Sequence, residues 1–141
     1  MTRVMAVDYG TRRVGVALSD TLGITASGYE TISWNGKDDT LLLQRLQEII
    51  CQKSVTKVIL GLPRRTDAVA GVSEDSARKL GESIGSVSDV EVIYWDERYT
   101  TVIASRYLQE TGVTRDRKKK IIDQVAAEVI LREYLESCRN A

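Results

Sequence analysis

"VMAVDYGTRRVGVALSD", residues 4–20, opens as an apolar run, stops on Asp8, turns through Gly10-Thr11 and presents Arg12 and Arg13. An unbroken apolar run of this length is what a strand buried on both faces shows. Arg12 to Ser19 alternates instead, with Val14, Val16 and Leu18 on one side, and predicts a second strand paired back on the first. Ile24 to Trp34, containing Tyr29, Thr31 and Ile32, predicts a third, so the chain starts with an antiparallel meander. The first strand raises a chemical question, since a buried strand seldom ends on a carboxylate with two guanidinium groups just past the turn.

Beyond residue 37 the apolar period changes from two to that of a helix. Asp38 or Asp39 can cap a helix with Leu42, Leu46, Ile49 and Ile50 along one face. "KVILGLP" (57–63) is a continuous apolar strand stopped by the only proline. Ser73 can cap a second helix with Ala77, Leu80 and Ile84 inward and Gly85 as its stop. "VEVIYW" (90–95) is the last strand; a helix is expected from Thr100 or Thr101 to Gly112, and a final one over about 119–137. Strands separated by helices should run parallel to the first through right-handed crossovers. The expectation is an α/β protein with a mixed five-stranded sheet, three antiparallel strands then two parallel, and helices on both faces. That is the layout of the ribonuclease H fold, spread over residues 1–141 as a single domain.

The composition narrows the chemistry. With 43% hydrophobic residues, no Phe, two Trp and six Tyr, the core must be aliphatic. Histidine is absent, which removes Ser-His-Asp and Cys-His catalysis and imidazole-ligated metals. Cys51 and Cys138 are too few for a disulfide scaffold or a four-thiolate zinc site, and read as reduced structural thiols. No apolar stretch reaches the roughly 18–20 residues needed to span a bilayer. "MTRVMAV" at the start lacks the apolar core of a signal peptide, so a cytoplasmic protein with no membrane partner is expected. Twenty basic and twenty acidic residues cancel, so only a local cluster could attract a polyanion.

Three acids stand where their surroundings are apolar. Asp8 ends the first strand, and ligands of open α/β sheets bind beyond the carboxyl ends of strands. Glu97, preceded by Asp96, lies just past the last strand; if that strand is parallel and adjacent to the first in the sheet centre, the acidic ends converge. In "KKKIIDQVAAEVIL" (118–131), a rotation of about 100° per residue puts Asp123 on the arc of Ala127, Ile130 and Tyr134. Gln124, Glu128 and Arg132 fall on the opposite, solvent arc. Three converging carboxylates repel one another unless a cation holds them, and an all-oxygen set favours Mg²⁺ or Mn²⁺. Two such ions can activate a water and stabilise the leaving oxygen in phosphodiester cleavage, which needs no histidine. Each acid also has an ordinary reading: Asp8 as a cap of the Gly10 turn, Glu97 paired with Arg98, Asp123 paired with a lysine.

Cations surround the same strand ends. "TRDRKKK" (114–120) has five cations in seven residues at the start of the last helix. Positive side chains oppose the helix dipole there, whereas the arrangement suits a phosphate. Arg117, Lys118, Lys119 and Lys120 join Arg12 and Arg13 in the first hairpin, Arg64 and Arg65 after the fourth strand, and Arg98 beside Glu97 as candidate nucleic-acid contacts. A solvated loop would account for the lysine run alone. Trp34, Trp95 and the tyrosines could stack on bases, although Trp95 on its apolar strand reads as core.

"VDYGTRRVGVALSD", "GLP" followed by Asp67, "DERYTTVIA" and "KKKIIDQVAAEVIL" together resemble the YqgF family, also called the RuvX or pre-16S rRNA nuclease family. The four blocks keep the family's order and span residues 4 to 131. The resemblance implies a ribonuclease H-like fold related to the RuvC Holliday junction resolvases. It also implies a metal-dependent nuclease whose acids correspond to Asp8, Glu97 and Asp123, acting in maturation of the 5′ end of 16S ribosomal RNA. One block departs: residues 64–68 are Arg-Arg-Thr-Asp-Ala, so Arg65 stands where the family often has Asn.

Two other readings compete. The first hairpin is similar to the phosphate-binding hairpin of the actin and sugar-kinase group, but those proteins enclose ATP between two lobes. A non-catalytic RNA-binding assembly factor would keep the acids for folding alone. Within the nuclease reading, precursor rRNA is the preferred partner, branched DNA the alternative, the ribosome a further partner, and a monomer or weak homodimer the expected state.

Overall fold

The computed structural model describes residues 2–10, 12–62, 74–96 and 115–139, without the side chains of 74, 96, 115–123 and 139. Its elements are β1 (Arg3–Tyr9), β2 (Arg13–Ser19), β3 (Ala26–Ser33), α1 (Thr40–Gln52), β4 (Val55–Leu62), α2 (Glu74–Val87), β5 (Glu91–Asp96) and α3 (Arg115–Arg139). They form one five-stranded sheet in the order β3-β2-β1-β4-β5. β1 and β3 run antiparallel to β2, while β4 is parallel to both β1 and β5. The mixed sheet expected from the sequence is therefore present. Among the described residues no helix is long and apolar enough to cross a membrane.

Successive side chains of a strand point to opposite faces, and the two faces bury different partners. Met5, Val7, Val14, Val16, Val58 and Leu60 pack with Leu42, Leu46 and Ile49 of α1 and Leu80 and Ile84 of α2. One residue out of phase, Ala6, Ala17 and Ile59 pack against Ala127, Ile130 and Leu131 of α3. Small residues on this second face let α3 lie close to the sheet. At Gly28 of β3 an added Cβ would come within 3.0 Å of the Gln124 Cβ.

Most element ends differ by a residue or two from the sequence reading, for local reasons. β3 starts at Ala26 because the Asp20 carboxylate accepts the N–H groups of Ile24 (2.7 Å) and Thr25 (3.2 Å) and keeps both in the turn. Those bonds also hold its carboxyl below the usual carboxylate pKa. At the start of α1, Asp38 accepts the Thr40 N–H at 3.0 Å, whereas Asp39 makes no side-chain cap bond. All four apolar positions expected inward on α1 are buried, as are Ala77, Leu80 and Ile84 on α2. Gly85 does not stop α2, which continues to Val87. A glycine C-cap needs a left-handed torsion, and among the described glycines positive φ occurs at Gly23 and Gly36. The last helix starts at Arg115, earlier than expected, so Arg117 to Lys120 lie within its first two turns. Ser73 and the helix expected between residues 100 and 112 lie outside the described residues. Cys51 and Cys138 are free and exposed, not structural core thiols.

Edge strand β3 is fastened to α1 by Arg45, whose guanidinium donates to both Glu30 oxygens at 2.7 and 2.8 Å and to Glu48 at 3.0 Å. Bonded to that guanidinium, the Glu30 carboxyl is held below its ordinary value of 4.5. A folded-state pKa below the unfolded one stabilises the fold above about pH 4.5, and the contribution disappears as pH falls through the lower folded value. The Arg45 and Glu30 side chains are 32% and 31% exposed, so solvent screening limits the pair to about 0.2–1 kcal/mol. Glu30→Gln should therefore lower the unfolding midpoint by roughly 1–3 °C at pH 7 and leave it unchanged near pH 3. An equal deficit at both pH values in a thermal melt series would show that the ion pair is not the cause.

Candidate active site

A carboxylate at the end of a buried strand is costly unless its charge is compensated, so the surroundings of Asp8 carry the chemical information. Alternation from Val4 and Ala6 places Asp8 on the face covered by α3. Its cross-strand neighbours are both glycines: Gly15 on β2 and Gly61 on β4. Gly15 pairs in turn with Thr31, and Gly61 with Trp95. One row thus crosses all five strands as Thr31–Gly15–Asp8–Gly61–Trp95. Within it, no side chain on either adjacent strand competes for the space beside the Asp8 carboxylate. A glycine inside a strand commonly marks such a close approach.

The last helix meets the sheet at the same row. Gln124 donates from Nε2 to the Thr31 Oγ1 at 3.1 Å, and Asp123 is the residue before it on α3. Strands lie about 4.8 Å apart, so Thr31 stands roughly 10 Å from Asp8 across β2. Gln124 is half-buried against β3 and does not face solvent as the helical wheel had it. Glu128 is also half-buried, paired with Arg132 at 2.9 Å.

The carboxyl ends of β1, β4 and β5 lie along one edge of the sheet, because the three strands are parallel. β1 and β5 are not adjacent, however: β4 intervenes and β5 is an edge strand, contrary to the arrangement supposed for Asp8 and Glu97. The separation of β1 from β5 is therefore about 10 Å, two strand spacings. Glu97, Arg98, Arg64, Arg65 and Asp67 lie outside the described residues. Among the described residues no three of His, Cys, Asp and Glu stand together as a metal cluster.

The hairpin after Asp8 is tied down from β3. The Trp34 indole N–H donates to the Gly10 carbonyl at 2.8 Å, and the Trp34 backbone N–H donates to the Arg12 carbonyl at 3.0 Å. Gly10 admits no side chain, since a Cβ would lie 2.5 Å from the Arg13 carbonyl oxygen. Tyr9 packs on Trp34 with ring centroids 5.5 Å apart, and burial followed by the nearby Asp39 charge raises its phenol pKa. Exposed Arg12 and half-buried Arg13 therefore project from a braced turn. Trp34 thus braces the turn. Trp95 is likewise committed to packing: its indole donates to Glu133 at 3.0 Å and its ring meets Tyr134 edge-on at 5.9 Å.

Sequence reading missed Gln124 and the Trp34 brace; the signal for the open row was present in Gly15 and Gly61, each inside an apolar strand.

Comparison with known proteins gives the family and agrees with the fold. Residues 2–137 match the family model RuvX, described as Holliday junction resolvase. A protein of Acetivibrio thermocellus is 40% identical over 136 residues, covering 96% of each chain, and bears the provisional name pre-16S rRNA nuclease. A Bacillus subtilis protein with the same name is 38% identical over 135 residues, covering 96% of this chain and 98% of that one. Among solved structures, Thermus thermophilus RuvC in complex with a Holliday junction substrate superposes with a TM-score of 0.65 at 12% identity, covering 100% of this chain and 98% of that one. Fowlpox virus resolvase with junction DNA gives 0.61 at 13% identity, covering 96% of this chain and 98% of that one. At such identities the likeness shows the fold, which is ribonuclease H-like. Both the family description and the relatives' name denote enzymes that hydrolyse phosphodiester bonds, and this chain belongs to the RuvX family of nucleases.

Proposed function

We propose that the chain is a divalent-metal-dependent nuclease that trims precursor 16S ribosomal RNA, with Asp8, Glu97 and Asp123 as the metal-holding carboxylates. The observation that carries this reading is the glycine-flanked Asp8 row, to which Gln124, the neighbour of Asp123, is bonded. A hard, hydrated cation fits such a place, because the candidate donors are all oxygen and Gly15 and Gly61 put no side chain beside the carboxylate on the two adjacent strands. Bound there, Mg²⁺ or Mn²⁺ would supply an activated water and neutralise charge on the scissile phosphate.

The protein's own groups do the remaining work. Asp8 offers carboxylate oxygens from a strand end whose backbone is bonded on both sides, so little reorganisation is needed. Arg12 and Arg13, on the turn braced by Trp34, are suited to hold flanking phosphates. Arg64, Arg65, Arg98, Arg117, Lys118, Lys119 and Lys120 would extend that contact along the nucleic acid. Binding that depends on such cations weakens with salt. We place the activity in one domain over residues 1–141, as a monomer or weak homodimer acting in the cytoplasm on ribosomal precursors.

RNA is preferred because the relatives at 38–40% identity are named for it. Branched DNA is the second reading, favoured by the family description and the junction-bound RuvC likeness. End-labelled precursor 16S rRNA and a four-way DNA junction should be incubated side by side with Mn²⁺, Mg²⁺ or EDTA. Cleavage of the RNA with either metal and none in EDTA is expected. Cleavage of the junction alone would move the substrate to DNA, and RNA cleavage that persists in EDTA would remove the metal.

A further inference from the structure

Around Gln124 the α3–sheet contact is made by small groups, Ala6 and Ala17 on the strands, Gly28 on β3 and Ala127 on the helix, while the larger Ile59, Ile130, Leu131 and Tyr134 pack farther along α3. Smooth surfaces of this kind give close approach but few interlocking ridges, so they hold the rotation and height of a helix weakly. Here Gln124 donates from Nε2 to the Thr31 Oγ1, at 3.1 Å and half-buried. It spans two elements 93 residues apart in the chain. Beneath it, Gly28 gives the Gln124 stem room that any side chain would take. Thr31 lies on the row of Asp8, and Gln124 follows Asp123 directly.

We propose that the Gln124–Thr31 bond is a positioning contact for metal binding: it fixes the rotation over the Asp8 row of α3, the helix whose chain carries residue 123. The inference rests on the metal-site reading above. A carboxylate stands about 6 Å from the helix axis, so a 10° rotation displaces it by about 1 Å. Misplacement on that scale is costly where ligands must converge, and removing groups that orient metal ligands typically lowers metal affinity about 10–100-fold.

The test compares Thr31→Val, which removes the hydroxyl at nearly constant shape, with Thr31→Ser, which keeps it. Mn²⁺ binding is followed by electron paramagnetic resonance titration of the protein without nucleic acid, alongside thermal melts. Thr31→Val should bind Mn²⁺ about 10–100-fold more weakly with little change in melting midpoint, and Thr31→Ser should bind as the parent does. Gln124→Met, which keeps length and loses the donor, should match Thr31→Val if the bond is the cause. Unchanged Mn²⁺ affinity in Thr31→Val and Gln124→Met, or equal weakening in Thr31→Ser, would overturn the positioning role. Asp8→Asn separates the two levels. Loss of Mn²⁺ in Asp8→Asn but not in Thr31→Val sinks this inference alone, whereas parental Mn²⁺ binding in Asp8→Asn sinks the metal-site reading and this inference with it.

Discussion

Asp8→Asn should reduce metal-dependent cleavage by on the order of 10³-fold while leaving the fold intact. Lewis-acid stabilisation by a bound ion is worth several kcal/mol, and each 1.36 kcal/mol of barrier is a factor of ten, so loss of about 4 kcal/mol gives that figure. Asn keeps the size and hydrogen-bonding capacity of the side chain but surrenders the charge. The β1 ladder, paired on both sides at this residue, does not depend on the carboxylate. The melting midpoint of the metal-free protein should therefore stay within a few degrees of the parent. Single-turnover cleavage with Mn²⁺ and a melt in EDTA measure the two effects. Activity within tenfold of the parent would take Asp8 out of the catalytic set.

The second large effect is expected at Ala127, which is fully buried where α3 meets Ala6, Ala17 and Ile59. Ala127→Leu forces three extra carbons into a contact chosen for close approach. Overpacking of this kind costs about 1–3 kcal/mol, or roughly 3–10 °C in melting midpoint for a chain of this size. The strain can be relieved only by lifting or rolling α3, which carries Asp123. Cleavage well below the new midpoint should therefore fall by at least about tenfold, beyond what the folded fraction accounts for. Arg132→Ala, on the other side of the same helix with its side chain 59% exposed, provides the control and should change neither quantity appreciably. A destabilised Ala127→Leu that cleaves at the parental rate would disconnect helix seating from the chemistry.

Much of the fold could be read because its two apolar periods are clean. Leu42, Leu46, Ile49 and Ile50 line one side of α1, and Val14, Val16 and Leu18 lie together on β2. The parallel relation of β1, β4 and β5 followed from the helices between them. What could not be read depended on partners distant in the chain. Gln124 sits at the border of the buried arc, and a helix lying on a flat, small-residue surface touches a wider arc than a wheel assigns. Trp34 looked available for stacking until β3 brought it back to the Gly10 turn. The position of β5 at the sheet edge, with β4 between it and β1, leaves no trace in local sequence. The acids at 8, 97 and 123 have no motif spacing, so nothing in the local sequence relates them.

Crystals of the parent protein and of Asp8→Asn, soaked in Mn²⁺ and measured at the manganese absorption edge, address the central claim with the fewest intervening steps. An anomalous peak against the Asp8 carboxylate in the parent, absent in Asp8→Asn, is the predicted result. A parent crystal with no manganese there, or with the carboxylate closed off by an arginine or lysine, would contradict the account.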